Sequence, residues 1–144
     1  RRLIGKEVVT WREAGDQLNW PHQLCVAAYF SDSKASYQVA LADGTTAREG
    51  VLSEENSNFV YWGVPMEAVL PAAGQADNLV VPVCASMSKQ AWGSYRLEPI
   101  WSQAGANSAV MVEAAIREGK TVNAVGYEPV RLLLVELNNV FARY

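Results

Sequence analysis

The sequence holds few side chains able to move a proton near neutrality. Its one histidine, His22, follows Pro21 in a polar turn where Asp16 is the nearest carboxylate. Imidazole titrates unperturbed in that range, but a lone ring in such a turn reads as solvated. The two cysteines, Cys25 and Cys84, share no CxxC spacing, and with one histidine they cannot complete a four-ligand zinc site. No metal is expected. Cys84 lies in an apolar run and reads as a buried, inert thiol; one disulfide between the pair stays open. There is no G-x-S-x-G elbow, which disfavours a serine hydrolase. No two glycines are separated by a single residue, so the G-x-G-x-x-G phosphate loop is missing. Arg96 and Glu98, one residue apart, suit an ion pair bracing a loop. Trp11, Trp20, Trp62, Trp92 and Trp101 could stack on sugars as a carbohydrate-binding module, although tryptophan is also a common core residue.

The elements that must position such groups follow from composition and pattern. The chain has 144 residues, half of them hydrophobic, and a net charge of -3. That suits one globular core and gives no electrostatic footprint for nucleic acid. No apolar run is long enough to cross a bilayer, so no membrane partner is expected. Arg1 to Glu7 lacks the apolar core of a signal peptide. The compartment, cytoplasm or periplasm, is left open.

Strands are predicted at Leu3 to Thr10, Leu24 to Phe30, Tyr37 to Leu41 and Phe59 to Trp62, from their β-branched and aromatic residues. Asp43-Gly44 offers a tight reversal, and Asn56 to Asn58 reads as a loop. Asn78 to Cys84 is a nearly continuous apolar run, as in a strand buried on both faces, with Pro82 marking an end or an edge. A polar loop follows. Pro99 to Glu118 then has the helical stripe Ile100, Ala104, Ser108, Met111 and Ala115, with Pro99 in the first turn and Gly119 just past the end. A second helix is predicted from Glu128 towards Val140. Strands first and helices last give an α+β class, or a fragment of a larger α/β protein.

The stretch from Asn78 to Ala109, NLVVPVCASMSKQAWGSYRLEPIWSQAGANSA, resembles the C-terminal signature of a bacterial family of FAD-dependent oxidoreductases with a glutathione-reductase-like flavin fold. That signature is a strand like N-L-L-V-P-V, a loop like S-A-S-H-x-A-x-G-S-x-R-x-E-P, and a helix beginning near G-Q-x-A. Asn78, Leu79, Val81, Pro82 and Val83 match the strand. Ser86, Ser88, Ala91, Gly93, Ser94, Arg96, Glu98 and Pro99 match the loop, and Gly105 the helix start. Tyr29 with Asp32-Ser33 is similar to the family's S-Y-x-x-D-S-H segment.

The resemblance implies FAD as cofactor and a small-molecule substrate. It implies late substrate-domain strands over 1–70 and the closing strand-loop-helix of the FAD-binding domain over 71–144. The expected flavin contacts are Gly93, Ser94, Arg96, Pro99, Gly105 and Ala106, with the helix N-terminus aimed at the pyrimidine end of the ring. Hydride transfer between an organic substrate and FAD would be the chemistry. The phosphate loop must then come from an N-terminal dinucleotide-binding segment or a companion chain.

Two departures qualify this. The family pattern has histidine where this chain has Lys34 and Lys89. These lysines become the candidates for substrate contact or proton transfer, the second role requiring burial or a neighbouring cation. Gly105 is also not followed by the usual glutamine. A non-catalytic subunit or degenerate paralogue serving assembly or binding therefore stays open beside the redox reading. Taken alone, the small residues at Ala104, Gly105 and Ala106 suit a tight helix-sheet packing face better than a cofactor contact.

Overall fold

The computed structural model describes residues 2–15, 20–32, 37–49 and 61–137. In chain order the elements are α1 (Trp11–Gly15), β1 (Gln23–Ala28), β2 (Tyr37–Ala40), β3 (Thr46–Glu49), β4 (Tyr61–Pro65), a single 3-10 turn (Met66–Val69), α2 (Lys89–Tyr95), α3 (Glu98–Arg117) and α4 (Tyr127–Glu136). The mix is α+β, as the sequence pattern predicts.

The core is built where β1 pairs antiparallel with β4 and α3 lies across them. Leu24, Cys25 and Ala27 of β1 are buried with Trp62 and Val64 of β4. From α3 they meet Ile100, Ala104, Met111, Ala114 and Ala115, which extends the predicted stripe at its 3.6-residue period. α3 also satisfies the backbone edge of β1 that β4 leaves unpaired. Gln103 Oε1 accepts from Val26 N at 2.9 Å, and Asn107 Nδ2 donates to Leu24 O. Two side chains one turn apart thus replace a missing neighbouring strand.

The end of α3 is closed by chemistry legible in the sequence. Gly119 takes φ 62, its N–H bonds Ile116 O at 3.1 Å, and Lys120 N bonds Ala115 O at 2.9 Å. A left-handed residue just past the helix satisfies carbonyls that would otherwise be unpaired. α4 then folds back, burying Val130 and Leu134, and Tyr127 Oη donates to Gln23 O at 3.0 Å.

Four expectations need correction. Leu3 to Thr10 is an extended thread with isolated bridges, Gly5 to Pro71 and Val9 to Met87, and not a strand. Its backbone bonds alternate between two stretches of chain, as in Lys6 N to Leu70 O at 3.0 Å and Val9 N to Ser86 O at 3.0 Å. Asn78 to Cys84 is irregular, with Val81 N bonded to Val69 O at 2.9 Å and Pro82 donating nothing. Its carbonyls at Pro82 and Val83 are met by Tyr95 Oη and Trp92 Nε1. Leu79 and Val83 are exposed, as is Cys84, while Cys25 is the buried thiol; both cysteines are free. Finally, the predicted polar loop contains α2, begun by Ser88, whose Oγ accepts from Ala91 N at 3.2 Å. The predicted strand residues Phe59 and Val60 and the loop Asn56 to Asn58 lie outside the described residues.

Candidate functional site

Two segments that resemble the family pattern, Tyr29 to Asp32 and Ser88 to Pro99, are far apart in sequence but clamped together in the fold. Ser31 Oγ donates to Gln90 O at 2.9 Å. Ser94 Oγ donates to Tyr29 O and accepts from Trp62 Nε1 at 3.0 Å. Arg96 forms an ion pair with Asp32, each side chain about a third exposed. The expected Arg96 and Glu98 brace is therefore not made; Asp32 takes the guanidinium. Gly93 sits directly on the Asp32 backbone: a Cβ there would lie 2.7 Å from Asp32 O. Glycine is required at this point because helix and chain touch backbone to backbone.

These contacts place the sequence-predicted residues in two groups. Gly93 and Ser94 are buried on the inner side of α2, and Arg96 is held at its end, all three occupied by the protein's own chain. Pro99 and Ala106 are exposed on the outer side of α3, with Gly105 half-buried beside them. A Cβ at Gly105 would meet nothing within 4 Å. Lys89 is exposed at the first position of α2. Lys34 lies outside the described residues.

The helix geometry differs from the expected one. α3 begins at Glu98, so Gly105 lies about two turns inside it, where amide N–H groups bond carbonyls of the preceding turn. At the true start, Pro99 has no N–H, and Ile100 N and Trp101 N both bond Leu97 O, at 3.0 and 3.1 Å. Few free amides remain there, and Glu98 adds a negative charge in the first turn. What α3 offers is an open, small-residue side and not an amide-lined end.

Sequence reasoning missed the partner of His22. Glu67, from the 3-10 turn, brings Oε1 to 2.6 Å from His22 Nδ1, and the Tyr127 ring lies 5.0 Å from the imidazole. No spacing rule links residues so far apart in the chain. Burial pushes the Cys25 thiol and the Tyr95 hydroxyl well above their ordinary pKa, so both stay protonated and inert. All five tryptophans pack in or against the core. Among the described residues there is no cluster of three or more potential metal ligands, and no helix is long and apolar enough to cross a membrane.

The sequence model of the family described as FAD dependent oxidoreductase matches residues 1–134. This chain belongs to that family. No curated protein and no solved structure matches it. Membership spans both the Tyr29 to Asp32 segment and the whole of α3, and it makes FAD the cofactor.

Whether the residues of this FAD-dependent oxidoreductase fit a flavin depends on what already fills the space around each. Gly93, Ser94 and Arg96 fit it poorly, since neighbouring chain occupies the space or the donors. The outer side of α3 fits a flat ring: Pro99 and Ala106 are exposed and Gly105 opens onto empty space. Two concavities in the fold, about 270 Å³ between α3 and α4 and about 200 Å³ beside Lys6 and Asp77, include none of these residues. The α3 side is an open surface and not an enclosure.

Proposed function

We propose that this chain supplies one wall of the flavin pocket in an enzyme that passes hydride between an organic substrate and FAD. The observation that carries this reading is the open side of α3 at Gly105, within a chain that matches the FAD dependent oxidoreductase family over residues 1–134. Pro99, Gly105 and Ala106 would hold the ring. Bound FAD supplies the hydride acceptor or donor, chemistry that no protein side chain provides. α3 presents small residues at Gly105 and Ala106, and its anchoring to β1 through Gln103 and Asn107 fixes them in place.

Arg96, Ser94 and Gly93 then act behind the wall. They hold Tyr29 to Asp32 against α2. Lys89 is a candidate for substrate contact, an ammonium with donors for a carboxylate or carbonyl oxygen. Lys34 is the second candidate, for contact or proton transfer. A dinucleotide-binding segment preceding this chain, or a companion chain, would supply the phosphate loop. The exposed Leu79 and Val83, in the run that resembles a buried strand, support such a neighbour, since apolar residues in that pattern need a sheet to bury them. A non-catalytic paralogue is the second reading, favoured by lysine at both positions where the family pattern carries histidine.

The test is an FAD titration followed by flavin fluorescence, on this chain alone and on the chain joined to its dinucleotide-binding segment. Weak binding alone and binding at least ~10-fold tighter when joined is the expected outcome. Absence of flavin binding by the joined protein would overturn the pocket.

A further inference from the structure

Trp101 lies one turn before Gly105 on the same side of α3, since residues four apart on a helix are neighbours. It is half-buried and packs against the core. Its ring meets that of Trp92 on α2, with centroids 6.1 Å apart and planes inclined at 40°. That separation is within the range over which aromatic rings interact. Beyond Trp92 stands Arg2, which is exposed. Its guanidinium carbon lies 5.4 Å from the Trp92 ring centroid, and its Nη1 donates to Met87 O at 2.9 Å. An indole pair thus runs from the side of α3 that opens at Gly105 to the charged surface of the protein.

The two indoles are held differently. Trp101 Nε1 is buried and has no hydrogen-bond partner among the described residues, an unusual state for a buried indole. Trp92 Nε1 donates to Val83 O at 3.4 Å, a long bond at an exposed position. This difference decides where a proton can leave. Indole gives up one electron without first losing a proton, and the cation then sheds its Nε1 proton where water is in reach. Trp101 Nε1 has no such outlet. Trp92 Nε1 has one, and the Arg2 charge over its ring favours the loss, because it repels a second positive charge there. Tyr95, also buried on α2, does not compete: burial keeps its hydroxyl protonated, and that hydroxyl donates to Pro82 O, which takes up no proton.

We propose that Trp101 and Trp92 form a one-electron relay between the flavin wall and the protein surface, a role that rests on the wall proposed above. Light-excited flavin is the oxidant. Trp101 gives it one electron, and Trp92 gives one electron to oxidised Trp101 and restores it. The Nε1 proton of oxidised Trp92 passes to water. In balance the flavin gains one electron, and Trp92 loses one electron and one proton and is left as a neutral indolyl radical. Loss of the proton makes the separated state long-lived, because the electron can return only when a proton returns as well. Two rings that merely pack would have no such direction.

The test is laser-flash absorption on the flavin-loaded chain joined to its dinucleotide-binding segment, native and as Trp101→Phe, Trp92→Phe and Arg2→Gln. Bound flavin is read first from the visible spectrum, and folding from urea unfolding. The native protein should give a long-lived neutral tryptophan radical. Trp101→Phe should lose that radical. Trp92→Phe should form a tryptophan cation that decays by recombination and yields no neutral species. Arg2→Gln removes only an exposed charge and should slow the appearance of the neutral radical. A radical with the same yield and lifetime in every folded, flavin-loaded variant, or none in the native protein with flavin bound, would overturn the relay and leave the wall standing. A joined protein without flavin would overturn the wall and the relay together.

Discussion

At the scale of single residues, two glycines that the resemblance treats alike have opposite physical reasons. Gly93 is glycine because Asp32 O would sit 2.7 Å from any Cβ, a contact with backbone that cannot swing aside. Gly93→Ala should therefore cost about 1–3 kcal/mol of stability in urea unfolding, as overpacking does. Gly105 has nothing within 4 Å of its absent Cβ, and a mid-helix glycine is normally about 1 kcal/mol worse than alanine. Gly105→Ala should then stabilise the flavin-free protein slightly in the same measurement, and a loss there would mean that this side of α3 is packed after all. Nothing in the sequence separates these two residues. The spacing puts both in a small-residue motif, and only the position of Asp32, brought in from far along the chain, tells them apart.

At the scale of elements, the helices with a full stripe were legible and the short or shared ones were not. α3 shows its apolar period and its start and stop residues, with Gly119 closing it as its place in the sequence predicts, and α4 starts within a residue of the predicted Glu128. α2 is only seven residues long, too short for a periodic pattern to stand out from a loop. Asn78 to Cys84 has the composition of a buried strand, but a strand also needs a partner, which composition does not encode. The clamp of Tyr29 to Asp32 on α2 and the His22–Glu67 pair are likewise long-range contacts invisible to spacing.

The α2 to β1 layer also carries a pH signature. Cys25 and Tyr95 are kept protonated by burial, whereas in the unfolded chain they ionise near ~8.5 and ~10. Above those values the unfolded state sheds protons that the native state keeps. Their contribution is full below ~8.5 and is lost as pH rises towards their elevated native pKa. The urea midpoint should fall as pH rises from neutral to above ~10, and Cys25→Ala should remove the early part of that fall. A midpoint flat across this range would contradict the burial of both groups.

At the scale of the whole molecule, the α+β class and the flavin family could be read in the sequence, because the Asn78 to Ala109 motif is ungapped and the family match extends over residues 1–134. The surroundings of the six expected flavin contacts were not legible in the sequence. The expected helix end lies about two turns before Gly105, and three of the six expected contacts face inwards to their own chain. What remains is a side of α3 that is exposed, small and held rigidly by β1, which makes Gly105 the residue where stability and cofactor binding should part company. The direct measurement is flavin occupancy, by visible absorption, of the native protein with the proposed dinucleotide-binding partner and of the same assembly carrying Gly105→Ile. The account predicts that the native assembly is yellow and that the variant, folded and assembled, holds flavin at least ~10-fold more weakly, because the branched side chain fills the space meant for the ring. Equal flavin occupancy in the two folded assemblies would contradict it and return the open side of α3 to a packing role.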